Sequence, residues 1–130
     1  VKRALDALRI RYTVTSSGNF RARYNMGGGR TETVFFQSKT YRLRQFEVRE
    51  IYGLGATSRG RPFSQRVAAM MLLASEKNKL GAWQVEYRNG VYTAYFSVKV
   101  RATLSGQKLR SVISMVLNAT QSMKKQLGIR

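Results

Sequence analysis

The segment from Trp83 to Val100 constrains this chain more than any other. Trp83, Val85 and Tyr87 alternate with Gln84, Glu86 and Arg88, and after an Asn89-Gly90 pair the same period resumes in Tyr92, Ala94, Phe96, Val98 and Val100. Period-two alternation puts the apolar side chains on one face of a pleated strand, and Asn-Gly readily takes the two positive φ angles of a type I′ turn. The spacing predicts a β-hairpin with one apolar face, which needs a second layer to cover it.

Helical periods elsewhere supply that layer. Beyond Ser105-Gly106, the residues Leu109, Val112, Ile113, Val116, Leu117, Met123 and Leu127 recur at spacings of three and four and predict a long C-terminal helix. Pro62, at or just before a first turn, leads into a stripe of Phe63, Val67, Met70, Met71 and Ala74 that should end near Lys79, with Gly81 as its stop. Val1, Ala4, Leu5 and Leu8 read as a short opening helix.

Between these lies further extended chain. Ile10, Tyr12 and Val14 alternate with Arg9, Arg11 and Thr13, Ser16-Ser17-Gly18 turns the chain, and Phe20, Ala22 and Tyr24 return with Arg21 and Arg23 between them. Gly27-Gly28-Gly29 connects to a third strand, Thr31 to Gln37, in which Val34, Phe35 and Phe36 suggest burial on both faces. Tyr41 to Tyr52 reads as strand, and Gly53 to Pro62 as a loop carrying three glycines. The expected fold is α+β: one domain over residues 1–130, an antiparallel sheet packed against helices on one face.

Charge decides which functions this frame suits. The chain carries 24 Lys and Arg against 6 Asp and Glu, a net charge of +18, and a field of that size attracts polyanions. Arg outnumbers Lys 16 to 8, and the planar guanidinium fork matches phosphate or carboxylate better than a point ammonium does. The excess is not a tail, because residues 1–66 hold 14 basic and 4 acidic groups and residues 67–130 hold 10 and 2.

The same inventory argues against catalysis. Most hydrolases and transferases need His, Cys or paired carboxylates; the chain has no His, no Cys and one Asp. Glu47 and Glu50 fall among Arg42, Arg44 and Arg49 and read as ordinary ion pairing, so neither a metal nor a cofactor is expected. No apolar run approaches the ~20 residues that cross a bilayer, so the chain as given is expected to be soluble. It begins at Val1, and its compartment is left open.

Strand parity names the candidate surface. Symmetric pairing about the first turn would set Arg11 opposite Arg23 and Thr13 opposite Arg21, away from Ile10, Tyr12, Phe20 and Tyr24. Arg42, Arg44, Lys99 and Arg101 carry the same outward alternation, which makes one sheet face either a cationic binding surface or a merely solvated basic one. Arg59-Gly60-Arg61, with Arg66 nearby, enters a helix N-terminus, where free N–H groups and guanidinium forks suit an anion as well as a solvated loop. Gly27-Gly28-Gly29 lacks phosphate-loop spacing and reads as a hairpin loop. Most tyrosines and Trp83 read as core; Tyr95 shares the outward parity of Lys99 and Arg101 and is free to stack on a base.

Leu72-Leu73-Ala74-Ser75-Glu76-Lys77-Asn78, Gly81-Ala82-Trp83, Asn89-Gly90, Phe96, Leu104 with Leu109, and Ala119-Thr120-Gln121-Ser122-Met123, in this order and spacing, resemble the C-terminal half of the YbjN-like family. A helix leading into Ile10-Arg11-Tyr12 and the Gly18 turn is similar to its N-terminal half. The resemblance implies the type III secretion chaperone-like two-layer sandwich, a tendency to dimerise, and a protein-binding role without catalytic residues. The basic charge sets this chain apart from typical members, which are acidic to neutral. The expected function is therefore a non-enzymatic, homodimeric binding module for an acidic protein partner, with nucleic acid as the alternative ligand and an anionic membrane surface as a third.

Overall fold

The computed structural model describes residues 1–129. The elements run α1 (Lys2–Ala7), β1 (Thr13–Val14), β2 (Phe20–Gly27), β3 (Arg30–Phe36), β4 (Tyr41–Leu43), β5 (Phe46–Arg59), α2 (Gln65–Lys77), β6 (Ala82–Arg88), β7 (Val91–Arg101) and α3 (Gly106–Leu127). All seven strands join one antiparallel sheet in the order β1-β2-β3-β5-β7-β6, with β4 paired to β5 off that path. The fold is α+β with helices on one sheet face, as the periodicities predict.

The hairpin of β6 and β7 forms because Asn89 and Gly90 both take positive φ, 52° and 77°, as the turn requires. Its alternation buries Trp83, Ala94, Phe96 and Val98 on the helix side. Helix α3 lies across β3, β5 and β7 and presses Leu109, Val112, Ile113, Val116, Leu117 and Met123 into the same core. Each large apolar side chain enclosed here contributes about 1.5–3 kcal/mol. At its end Gly128 turns left-handed (φ 72°), and the N–H of Ile129 donates to the Lys124 carbonyl at 2.8 Å, which closes the last turn. Helix α2 starts at Ser64, whose hydroxyl accepts from the Val67 N–H at 3.2 Å, and it packs on β6.

Four expectations are corrected. Gly53 to Arg59 is not a loop but the second half of β5, a strand of 14 residues that pairs along its length with β7. The glycines mark close packing instead of a break. A Cβ added at Gly53 would stand 2.7 Å from Thr120 Cγ2 and 3.0 Å from Val116 Cγ1 of α3, and one at Gly55 would strike the Trp83 ring. Tyr41 to Tyr52 is two strands, β4 and the start of β5, reversed at Arg44-Gln45 with Arg44 at φ 56°. Phe35 is only half-buried: Val34 and Phe36 enter the core while Phe35 faces away from it. The predicted core also loses Tyr41 and Tyr87, which are exposed.

The close approach of α3 at Gly53 carries a prediction. Gly53→Ala overpacks the helix–sheet contact and lowers stability by about 1–3 kcal/mol in urea unfolding. Combining it with Thr120→Ser, which removes Cγ2, recovers part of that loss, and strictly additive effects would place the clash elsewhere.

Candidate functional site

Because the helices cover one sheet face, the other lies open. Side chains directly opposite in a ladder share a face, so the registers define that surface residue by residue. One row crosses five strands: Thr13 faces Arg21, Arg21 faces Phe35, Phe35 faces Tyr52, and Tyr52 faces Ser97. A parallel row pairs Arg23 with Thr33 on one side, and Leu54 with Tyr95 and Tyr95 with Gln84 on the other. A third pairs Glu50 with Lys99, and a fourth Val48 with Arg101.

The rings form a connected patch at the centre of this face. Phe35 and Tyr52 stack with centroids 5.1 Å apart and an 11° interplanar angle, and Tyr95 meets Tyr52 edge-on at 5.7 Å. Leu54, 42% exposed, extends the apolar surface beside Tyr95. Burial pushes the Tyr52 and Tyr95 hydroxyls above the ordinary tyrosine value, and the carboxylates of Glu50 and Glu86 push them further in the same direction.

Arginines flank the patch on the β2 side. Arg21 and Arg23 are exposed; Arg21 Nε donates to Thr13 Oγ1 at 3.3 Å. Neither has a carboxylate partner among the described residues, whose ion pairs engage Lys2, Arg88, Lys99 and Lys124. On the β7 side Lys99 Nζ lies 3.6 Å from Glu50 Oε2, which also accepts from the Ser97 hydroxyl. Arg101 sits 5.1 Å over the Phe46 ring in a cation–π contact.

Between β3 and β5 the sheet opens. Their ladder holds two pairs, Phe35 with Tyr52 and Phe36 with Ile51, and toward Arg30 the strands part. A cleft of 290 Å³ results, lined by Arg21, Arg23, Thr31, Thr33, Phe35 and Leu54. Glu32 and Lys124 also reach this cleft and pair with each other at 2.9 Å, the carboxylate being buried. A larger groove of 1020 Å³ follows α3 on the opposite side of the molecule, bounded by Met70 and Leu73 of α2 and by Ile10 and Tyr24.

The structure brings together only part of the predicted surface. Arg21, Arg23, Lys99 and Arg101 share the open face. Thr13 faces Arg21 in the expected register, and Arg11, exposed, precedes the ladder of β1 with β2, which begins at Thr13. Arg42 pairs with Glu47 and therefore points the other way from Val48 and Arg101, and Arg44 occupies the turn. The reversal at Arg44-Gln45, not visible as a break in alternation, shifts that parity. Arg59 has the parity of the open face but lies opposite Val91, about 30 Å along β7 from Arg101. Arg61 is exposed in the loop beyond it, its carbonyl accepting from the Ser58 hydroxyl.

Phe35, Tyr52 and Leu54 were not expected at the surface. The alternation Glu50, Tyr52, Leu54 was their only signal, masked by the glycines between and after them. No group of acidic residues suited to a metal occurs among the described residues, and no helix is long and apolar enough to cross a membrane. Compared with known proteins, the chain matches no family model, no curated protein and no solved structure.

The raised tyrosines give a pH dependence. Their folded-state pKa lies above the unfolded value of 10.0, so the stability they contribute is complete below about pH 10. It is lost as pH rises through the folded value, because the unfolded chain releases its protons first. Urea unfolding between pH 8 and 11 should show a steeper alkaline loss for the wild type than for Tyr52→Phe; equal losses would locate the alkaline sensitivity elsewhere.

Proposed function

We propose that this chain is a non-enzymatic binding module, of the YbjN-like, secretion chaperone-like type, whose open sheet face binds nucleic acid. The observation that carries the reading is the pair Arg21 and Arg23, exposed side by side without a carboxylate partner among the described residues and adjoining aromatic rings. A net charge of +18 supplies the long-range attraction. Guanidinium forks suit phosphate oxygens, and rings beside them favour nucleic acid over an acidic protein, whose side chains have no use for an aromatic platform. Affinity of this kind comes mainly from phosphate neutralisation and falls steeply with salt. An anionic membrane would use the charge alone.

The test is a titration of mixed single- and double-stranded oligonucleotides across ~50 to 300 mM salt. Arg21→Glu with Arg23→Glu should weaken binding more than tenfold and flatten the salt slope. The same charge change at Arg42 and Arg44, off the open face, should weaken it far less. Equal effects from the two pairs would assign binding to overall charge and remove the face from the reading.

A second reading, a protein contact, has its own observation. Leu72 and Leu73 of α2 are 71% and 65% exposed, an apolar pair with Glu76 and Lys77 one turn further along the helix. Such an exposed apolar pair suits a second copy or an acidic protein partner. Light scattering at ~100 μM protein should give a dimer that Leu72→Glu with Leu73→Glu converts to monomer, leaving oligonucleotide affinity unchanged. A wild-type monomer at that concentration removes the dimer.

A further inference from the structure

We infer that the nucleic acid taken by this face is single-stranded, and that it places one base in the cleft between β3 and β5 while neighbouring bases stack on Phe35 and Tyr95. The inference rests on the nucleic-acid reading above. It adds to the arginines and rings of that reading the way the rings are arranged and the cleft beside them. Charge alone serves a duplex and a single strand equally, since both present phosphates. The open face offers more than charge: Arg21, Phe35 and Tyr52 stand in one row across three strands, with Tyr95 edge-on beside them.

A duplex keeps its base faces inside its own stack, so these rings have nothing to meet. An unpaired strand presents base faces that stack on aromatic side chains whatever the sequence. The cleft fits the same ligand. Its walls are Thr31, Thr33, Phe35 and Leu54, which offer hydroxyls to a base edge and apolar surface to its face. Its rim is Arg21 and Arg23, within reach of the phosphates on either side of an inserted base. The Glu32–Lys124 pair at 2.9 Å ties α3 to β3 there.

The deciding experiment compares fluorescent oligothymidine and oligouridine of about 20 nucleotides, a duplex of the same length and a polyglutamate peptide of matched charge, at ~100 mM salt. The proteins are the wild type, Phe35→Leu, Tyr95→Leu and Arg21→Ala. The single strands should bind at least tenfold more tightly than the duplex. Each leucine variant should weaken single-strand binding by about 5- to 150-fold and leave duplex binding unchanged. Photo-crosslinks from 5-bromouridine, mapped by mass spectrometry on the wild type, should fall on Phe35, Tyr52 or Tyr95, which decides the matter even where a leucine variant fails to fold.

Equal affinity for single strand and duplex, lowered by Arg21→Ala and untouched by the leucine variants, overturns this inference and leaves the nucleic-acid reading standing. Polyglutamate binding as tightly as the oligonucleotides overturns both in favour of an acidic protein. No oligonucleotide binding even at ~50 mM salt overturns both outright. A preference between oligouridine and oligothymidine tells RNA from DNA.

Discussion

The structure depends on the contact of α3 with the glycine-thinned centre of the sheet. At Gly53 the helix approaches until Thr120 and Val116 occupy the space a side chain would need. That approach seals Val34, Phe36, Ile51, Phe96 and Val98 beneath α3, and it lets the short α1 insert Leu5 alongside. With α2 on β6, the helices satisfy one face of the sheet. None of them reaches the other, so its side chains are left to solvent or to a ligand.

Strand β5 organises that open face. It pairs with β3, β4 and β7, and a bulge between Leu54 and Ala56 takes up one extra residue at Gly55, where the Trp83 ring leaves no room for a side chain. The bulge keeps Tyr52 and Leu54 outward while β5 continues to Arg59. Its short ladder with β3 then opens the cleft beside the arginines. Arg49, on the opposite parity, donates to the carbonyls of Gln37 and Ser38 and so fixes the chain between β3 and β4. Its burial lowers its pKa from the ordinary arginine value.

Charge works against this compact state. With +18 distributed over both halves of the sequence and few carboxylates to pair, self-repulsion is relieved only by solvent and counterions. Glu32 is buried against Lys124, Glu50 is held by Ser97 and Lys99, and Asp6 and Glu86 pair with Lys2 and Arg88, so four of the six acidic groups are already engaged within the chain. Arg21 and Arg23 are left without such partners among the described residues. A polyanion would relieve the strain that folding leaves there.

By itself the sequence determined what local period and turn chemistry control: the hairpin around Asn89-Gly90, α3, the start of α2, and the outward parity of Arg21, Arg23, Tyr95, Lys99 and Arg101. These follow from alternation and helical spacing, which act within a few residues. Only the tertiary structure decided that Gly53 and Gly55 lie inside a strand, because glycine reads as a loop until a helix or an indole ring is seen to need its space. It also took Arg42 and Arg44 off the open face, since a two-residue reversal depends on how the strands on either side of it pair. The aromatic patch beside Arg21 exists for the same reason. Phe35, Tyr52 and Tyr95 come from three strands separated by long stretches of sequence, and only their shared register makes them neighbours.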